Sequence, residues 1–173
     1  MSFKDISNFN NTSDYLSIFN GVLITDLIVI AFLIGGWVQS AVLKKWYKEL
    51  NLSAVIADIL ILFIGIILAR FFYPYIFAQY SLLKFLALAV GIQVLHDILF
   101  YQVCKAVPRG QSKIMDIFKD YGREKGVKAI LADSTMMVSS ILIASLLKGL
   151  GGNINIITAI VVVYLVPYFI YSL

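Results

Sequence analysis

Six side chains able to do chemistry fall inside stretches that are otherwise apolar: Asp58, Gln93, His96, Asp97, Asp133 and Ser134. Gln93, His96, Asp97 and Phe100 recur at i, i+3, i+4 and i+7, the spacing that puts residues on one face of a helix, and Thr135 follows Asp133 and Ser134. Three carboxylates and an imidazole in one inner-leaflet layer can relay protons or hold a cation. The alternative is structural: hydrogen bonds between helices, in part with protonated acids or with Lys105 and Lys128, that fix helix register. One imidazole with three acids can also hold manganese or iron, but the spacing does not demand it, and no metal or cofactor is expected. Asp26 and Arg70 are of opposite sign and are expected as an ion pair, each about a turn inside the outer end of its stretch.

A charge at the centre of a bilayer costs about 3 kcal/mol on insertion scales, so the elements that carry these groups decide their meaning. The chain of 173 residues is 61% hydrophobic and 14% charged, far from the ~25% charge of soluble domains. At about 20 residues per crossing it accommodates five spans. They are expected at about 21–43, 53–73, 82–104, 127–147 and 154–171, the second ending at Pro74, with a polar outer tail over 1–20 and one helical transmembrane domain over 21–173. The fold class is therefore all-α, a polytopic helical bundle. The tail lacks the basic-then-apolar pattern of a cleavable leader, so the first span is expected to act as its own insertion signal. Small residues four apart, Gly36/Ser40, Gly65/Ala69, Ala87/Gly91 and Ser140/Ala144, suit close helix crossings.

Half of the basic residues lie between the third and fourth spans: Lys105, Arg109, Lys113, Lys119, Arg123, Lys125 and Lys128. Lys44, Lys45 and Lys48 fill the first loop. The positive-inside rule makes both loops cytoplasmic, which places the N-terminus outside and the C-terminus inside. Asn10-Asn11-Thr12-Ser13 then offers two overlapping glycosylation sequons to the exterior, although so short a motif also arises by chance in an Asn/Ser-rich tail; Asn51-Leu52-Ser53 faces the cytoplasm and is expected to be inert. Within the loop 105–128, Ile114, Ile117, Phe118 and Tyr121 share a helical face opposite Lys113, Asp116, Lys119 and Asp120. This predicts an amphipathic interfacial helix capped by Ser112 and stopped by Gly122. It serves either as a surface helix joining two spans or as a docking surface, and no aromatic interleaving points to nucleic acid.

Several functions are excluded or weakened. One cysteine, Cys104, rules out an internal disulfide, and one histidine rules out paired-histidine zinc motifs. There is no potassium-selectivity motif, no mid-span lysine, no pair of matching broken helices and no nucleophile elbow, so an enzyme is not expected. The segments Gln93–Tyr101, Pro108-Arg109-Gly110 and Asp133–Met137 resemble those of uncharacterised multi-span membrane proteins of large icosahedral DNA viruses. That resemblance implies a protein of the internal virion membrane, of minor-capsid type, in contact with capsid proteins. The expectation is a structural or assembly protein of the membrane that docks protein partners through its basic loop. The alternative is a small proton- or cation-coupled carrier or channel built on the Asp/His cluster.

Overall fold

A computed structural model describes residues 2–173; the expected outward placement of Met1 lies outside the described residues. After an extended segment and a 3-10 turn (Thr12–Asp14) come seven helices: α1 (Tyr15–Ile34), α2 (Ala41–Leu50), α3 (Leu52–Ile76), α4 (Leu82–Ala106), α5 (Lys113–Lys125), α6 (Val127–Lys148) and α7 (Gly152–Ile170). Among the described residues there is no strand, and α1, α3, α4, α6 and α7 are long and apolar enough to cross a membrane. The surface has the character this requires. On α3 alone, Ile56, Leu60 and Ile64 are exposed at successive turns, while Asn20, Asp26, Arg70, Gln93 and Asn155 are buried. In hydrocarbon it is the polar groups that need partners, so they turn inward. The chain is an integral membrane protein.

α1, α3, α4 and α6 pack in a ring in that order, with α7 laid against α1. The tightest crossing joins α1 to α6: a Cβ on Gly21 would stand 2.5 Å from the Ser140 carbonyl oxygen. Ser140/Ala144 therefore does make a close crossing, and Gly65 lies under Met137. Gly91 faces open space and Gly36 lies outside any helix, so those two pairs do not bring helices together.

The first span differs from expectation. It begins at Tyr15 rather than Gly21, because Tyr15, Leu16, Ile18 and Phe19 extend its apolar face. It ends at Ile34, where Gly36 takes φ +75° and the amides of Trp37 and Val38 fold back onto the Phe32 carbonyl. Ser40 then caps a separate short helix, its hydroxyl accepting from the Leu43 amide at 3.1 Å. The second span runs through Pro74 to Ile76, since a proline in the last turn removes only one backbone hydrogen bond. Ser112 caps α5 as expected, its hydroxyl accepting from the Met115 amide. Gly122 does not stop that helix. It sits inside it against the Tyr101 ring, and the chain turns only at Gly126, φ +52°.

Two segments repeat one arrangement. Ser40, α2, Asn51 and α3 match Ser112, α5, Gly126 and α6: a serine-capped short helix, one residue at φ/ψ of 49/−127° or 52/−128°, then a long span. α2 and α5 lie antiparallel across one end of the ring. Trp46 packs on Phe118 (centroids 4.9 Å), Lys113 pairs with Glu49 at 3.2 Å, and the Val42 amide donates to Glu124 at 3.0 Å.

The opposite end is closed by the N-terminal segment, which is not a free tail. Ile6 is fully buried, the Lys4 amide donates to the Ser145 carbonyl at 3.2 Å, and the Ser145 hydroxyl donates to the Lys4 carbonyl.

Candidate functional site

Between the ring and the α2/α5 layer lies a cavity of about 760 Å³. Most of its wall is apolar, with Ile28, Val29 and Phe32 from α1 and Ile130 and Met136 from α6. Asp58 of α3, Gln93, His96 and Asp97 of α4 and Asp133 of α6 all line it, so five of the six residues singled out in the sequence are brought together. Ser134, one position on along α6, does not line it.

The Gln93 amide donates to Asp97 Oδ1 at 2.8 Å, and His96 Nδ1 lies 3.2 Å from the same oxygen. The imidazole stacks on Phe100 with centroids 5.6 Å apart. Asp58 accepts from Trp46 Nε1 at 3.0 Å. Asp26 is fully buried behind this wall and accepts from the Tyr47 hydroxyl at 2.7 Å. One hydroxyl carries one proton, and Tyr47 lies against both Asp26 and Asp58. Burial pushes the Tyr47 hydroxyl well above its ordinary range, and the fields of Asp58 and Asp26 add to this. Tyr121 of α5 closes the cavity from below. Its hydroxyl is raised by burial first and then by Asp133, Asp58, Glu124 and Asp97.

None of the four carboxylates, Asp26, Asp58, Asp97 and Asp133, is within ion-pair distance of a lysine or arginine among the described residues. Asp26 Oδ2 and Asp97 Oδ2 are buried without a hydrogen-bond partner. No three His, Cys, Asp or Glu side chains among the described residues are grouped as a metal site.

The expected Asp26–Arg70 pair is not formed. With α1 starting at Tyr15, Asp26 is about three turns into its helix, whereas Arg70 is under two turns from the end of α3. Arg70 instead pairs with Asp14 at 3.5 Å and donates to the carbonyls of Asn8 and Asn11. Lys148 binds the same carboxylate at 2.8 Å and the Asp5 carbonyl at 2.6 Å.

The basic loop is largely engaged within the chain. Arg109 binds Asp120 at 2.7 Å and Lys113 binds Glu49. Lys119, mostly buried, binds Asp116 and the Val107 carbonyl. Lys125 binds Glu124 at 3.1 Å and the Gln39 carbonyl at 2.7 Å, and Lys105 sits over the Tyr101 ring. Arg123 and Lys128 are exposed without an acidic partner among the described residues. Sequence reasoning missed Trp46, Tyr47 and Tyr121 as parts of the site and Asp14 as Arg70's partner. The available signal was the Gly35-Gly36 break followed by the Ser40 cap, which marks Ala41–Leu50 as a separate helix with an aromatic pair.

No family model matches the chain, and neither does any characterised protein or solved structure with which it was compared.

Proposed function

We propose that this chain is a small proton- or cation-coupled carrier or channel, with its N-terminal segment outside, its C-terminus in the cytoplasm, and α2 and α5 lying as amphipathic helices along the inner surface. The observation that carries this reading is the set of four carboxylates in one part of the bundle with no lysine or arginine within ion-pair distance of them among the described residues. Carboxylates inside a membrane need a counter-charge or a proton. Here no lysine or arginine among the described residues supplies it, and the one imidazole, His96, reaches only Asp97, in contrast to Asp14, which holds two cations. Asp58, Asp97 and Asp133 line a cavity that a mobile ion can enter, and Tyr47 connects Asp58 to Asp26 deeper in α1.

Purified protein in vesicles loaded with a pH-sensitive dye tests this. Flux above empty vesicles, lost in Asp133→Asn and Asp58→Asn variants that still fold, is the expected result; no flux above the empty control under any cation gradient rejects a carrier. Orientation is tested by single cysteines at the exposed positions Asn10 and Arg123 in a Cys104→Ser background. They should label from opposite sides.

A second reading, a structural protein of an internal virion membrane that docks capsid partners, is favoured by the exposed cations of the α2/α5 layer and the start of α6, among them Lys44, Lys48, Arg123 and Lys128. Native mass analysis after mild extraction separates the two. Stoichiometric recovery with non-membrane proteins supports docking, and a lone chain supports the carrier.

A further inference from the structure

The size and wall of the cavity say what kind of cation it suits. A proton needs no volume, and an inorganic ion that sheds water needs a shell of oxygens to replace it. The space is about 760 Å³, and its surface is apolar over most of its area. Cavities of this size with mainly hydrophobic and aromatic walls and a few placed polar groups are the usual form of sites for organic molecules.

Carboxylates reach the wall from three separate helices. Asp58 faces the cavity from α3, Asp97 from α4 and Asp133 from α6. The fully buried Asp26 stands behind Tyr47 with Oδ2 unpartnered, and Asp97 Oδ2 is likewise buried and unpartnered. The remaining charged or titratable groups on the wall are His96 and Tyr101 of α4, Tyr121 and Lys125 of α5, Lys128 of α6 and Tyr47 of α2. Lys125 is already neutralised by Glu124, and Lys128, exposed at the start of α6, is without an acidic partner among the described residues, which leaves three carboxylates facing one unpaired lysine. Trp46, Phe100, Phe118 and Tyr121 add aromatic faces, which attract a desolvated organic cation and do little for a hydrated metal ion.

We infer that the cavity is a binding site for an organic cation with a hydrocarbon or aromatic body, its charge held among Asp58, Asp97 and Asp133 and its body along the apolar wall that includes Ile28, Val29 and Phe32. The inference rests on reading the cavity as a cation site and names the class of ligand. Anionic lipids are disfavoured by the same three carboxylates.

The test uses the full chain in discs of zwitterionic lipid, with tetraphenylphosphonium as probe and tetraphenylborate as its counterpart of like shape and opposite charge. Equilibrium dialysis should show saturable binding of the phosphonium and none of the borate. Asp58→Asn and Asp133→Asn should each weaken binding about tenfold, equivalent to about 1.4 kcal/mol. Asp133→Glu should restore it, and the surface variant Asp120→Asn should bind as wild type. Helical circular dichroism and monodisperse elution establish that each variant is folded.

Equal uptake of both probes, or phosphonium binding that is unchanged in the folded Asp58→Asn and Asp133→Asn variants, overturns the inference. Flux in the dye-loaded vesicles without phosphonium binding would leave the carrier standing and remove only the organic ligand. Binding without flux would remove the carrier and leave the site.

Discussion

Replacing Gly21 by alanine puts a methyl group where α1 and α6 touch. An added Cβ would lie 2.5 Å from the Ser140 carbonyl oxygen, 2.8 Å from the Ala144 amide nitrogen and 2.9 Å from the Ala144 Cβ. Unstrained contacts between such atoms are about 3.5–4.0 Å, so the helices must separate by about 1 Å. Two of the three obstructing atoms belong to backbone and cannot swing aside. Overpacking of this kind costs about 1–3 kcal/mol, offset in part by the 0.5–1 kcal/mol or so that alanine gains over glycine within a helix. The expected net loss is therefore about 1 kcal/mol and at most about 2.5 kcal/mol.

Two other glycines calibrate the effect. Gly91 has nothing within 4 Å, so Gly91→Ala should be neutral or slightly stabilising. At Gly65 the near atom is the Met137 methyl at 2.8 Å, the end of a flexible side chain that can move, and Gly65→Ala should fall between the other two. Reversible unfolding in mixed micelles titrated with dodecyl sulfate, followed by tryptophan fluorescence, measures all three. A Gly21→Ala midpoint at or above wild type, or one above that of Gly91→Ala, would refute the close crossing and the ring built on it.

Other substitutions probe the two ends of the bundle. Asp14→Asn removes the carboxylate that pairs with the buried Arg70 and also releases Lys148, so it should cost about 3–5 kcal/mol and expose residues 2–11 to protease; wild-type stability would mean that the backbone carbonyls alone satisfy Arg70. Asn51 adopts φ +49° where its counterpart Gly126 needs no side chain, so Asn51→Gly should stabilise by about 1 kcal/mol in the same titration. The Asp116 carboxyl is held below its usual range by the Gly110 amide, and Asp120 by Arg109. Because both are lowered on folding, their contribution is present above about pH 4 and lost as pH falls below it, and the protection of the Gly110 amide from hydrogen exchange, taken relative to the intrinsic rate at each pH, should fall only at acid pH.

The spans were legible because a bilayer imposes one rule on every crossing: about 20 apolar residues whose backbone is satisfied within the helix. The bounds of α6 agree with the sequence reading to within a residue, and Ser112 was recognised as a cap because its hydroxyl serves an amide only three residues on. Gly35-Gly36 carried the end of α1 just as plainly, but the apolar residues beyond it hid the break. At the other end, reading the start of α1 at Gly21 instead of Tyr15 moved the inferred depth of Asp26 and produced the wrong partner for Arg70.

Composition and local spacing were thus enough to determine an all-helical membrane protein of five spans and to name five residues of the acidic cavity. Only the tertiary structure decided what surrounds them. Trp46 and Tyr47 reach Asp58 and Asp26 because α2 folds under the ring, and Asp14 meets Lys148 across 134 residues of chain. Periodicity reports which face of a helix a residue occupies, whereas the neighbours of that face depend on how separate helices pack, and no local pattern contains that information.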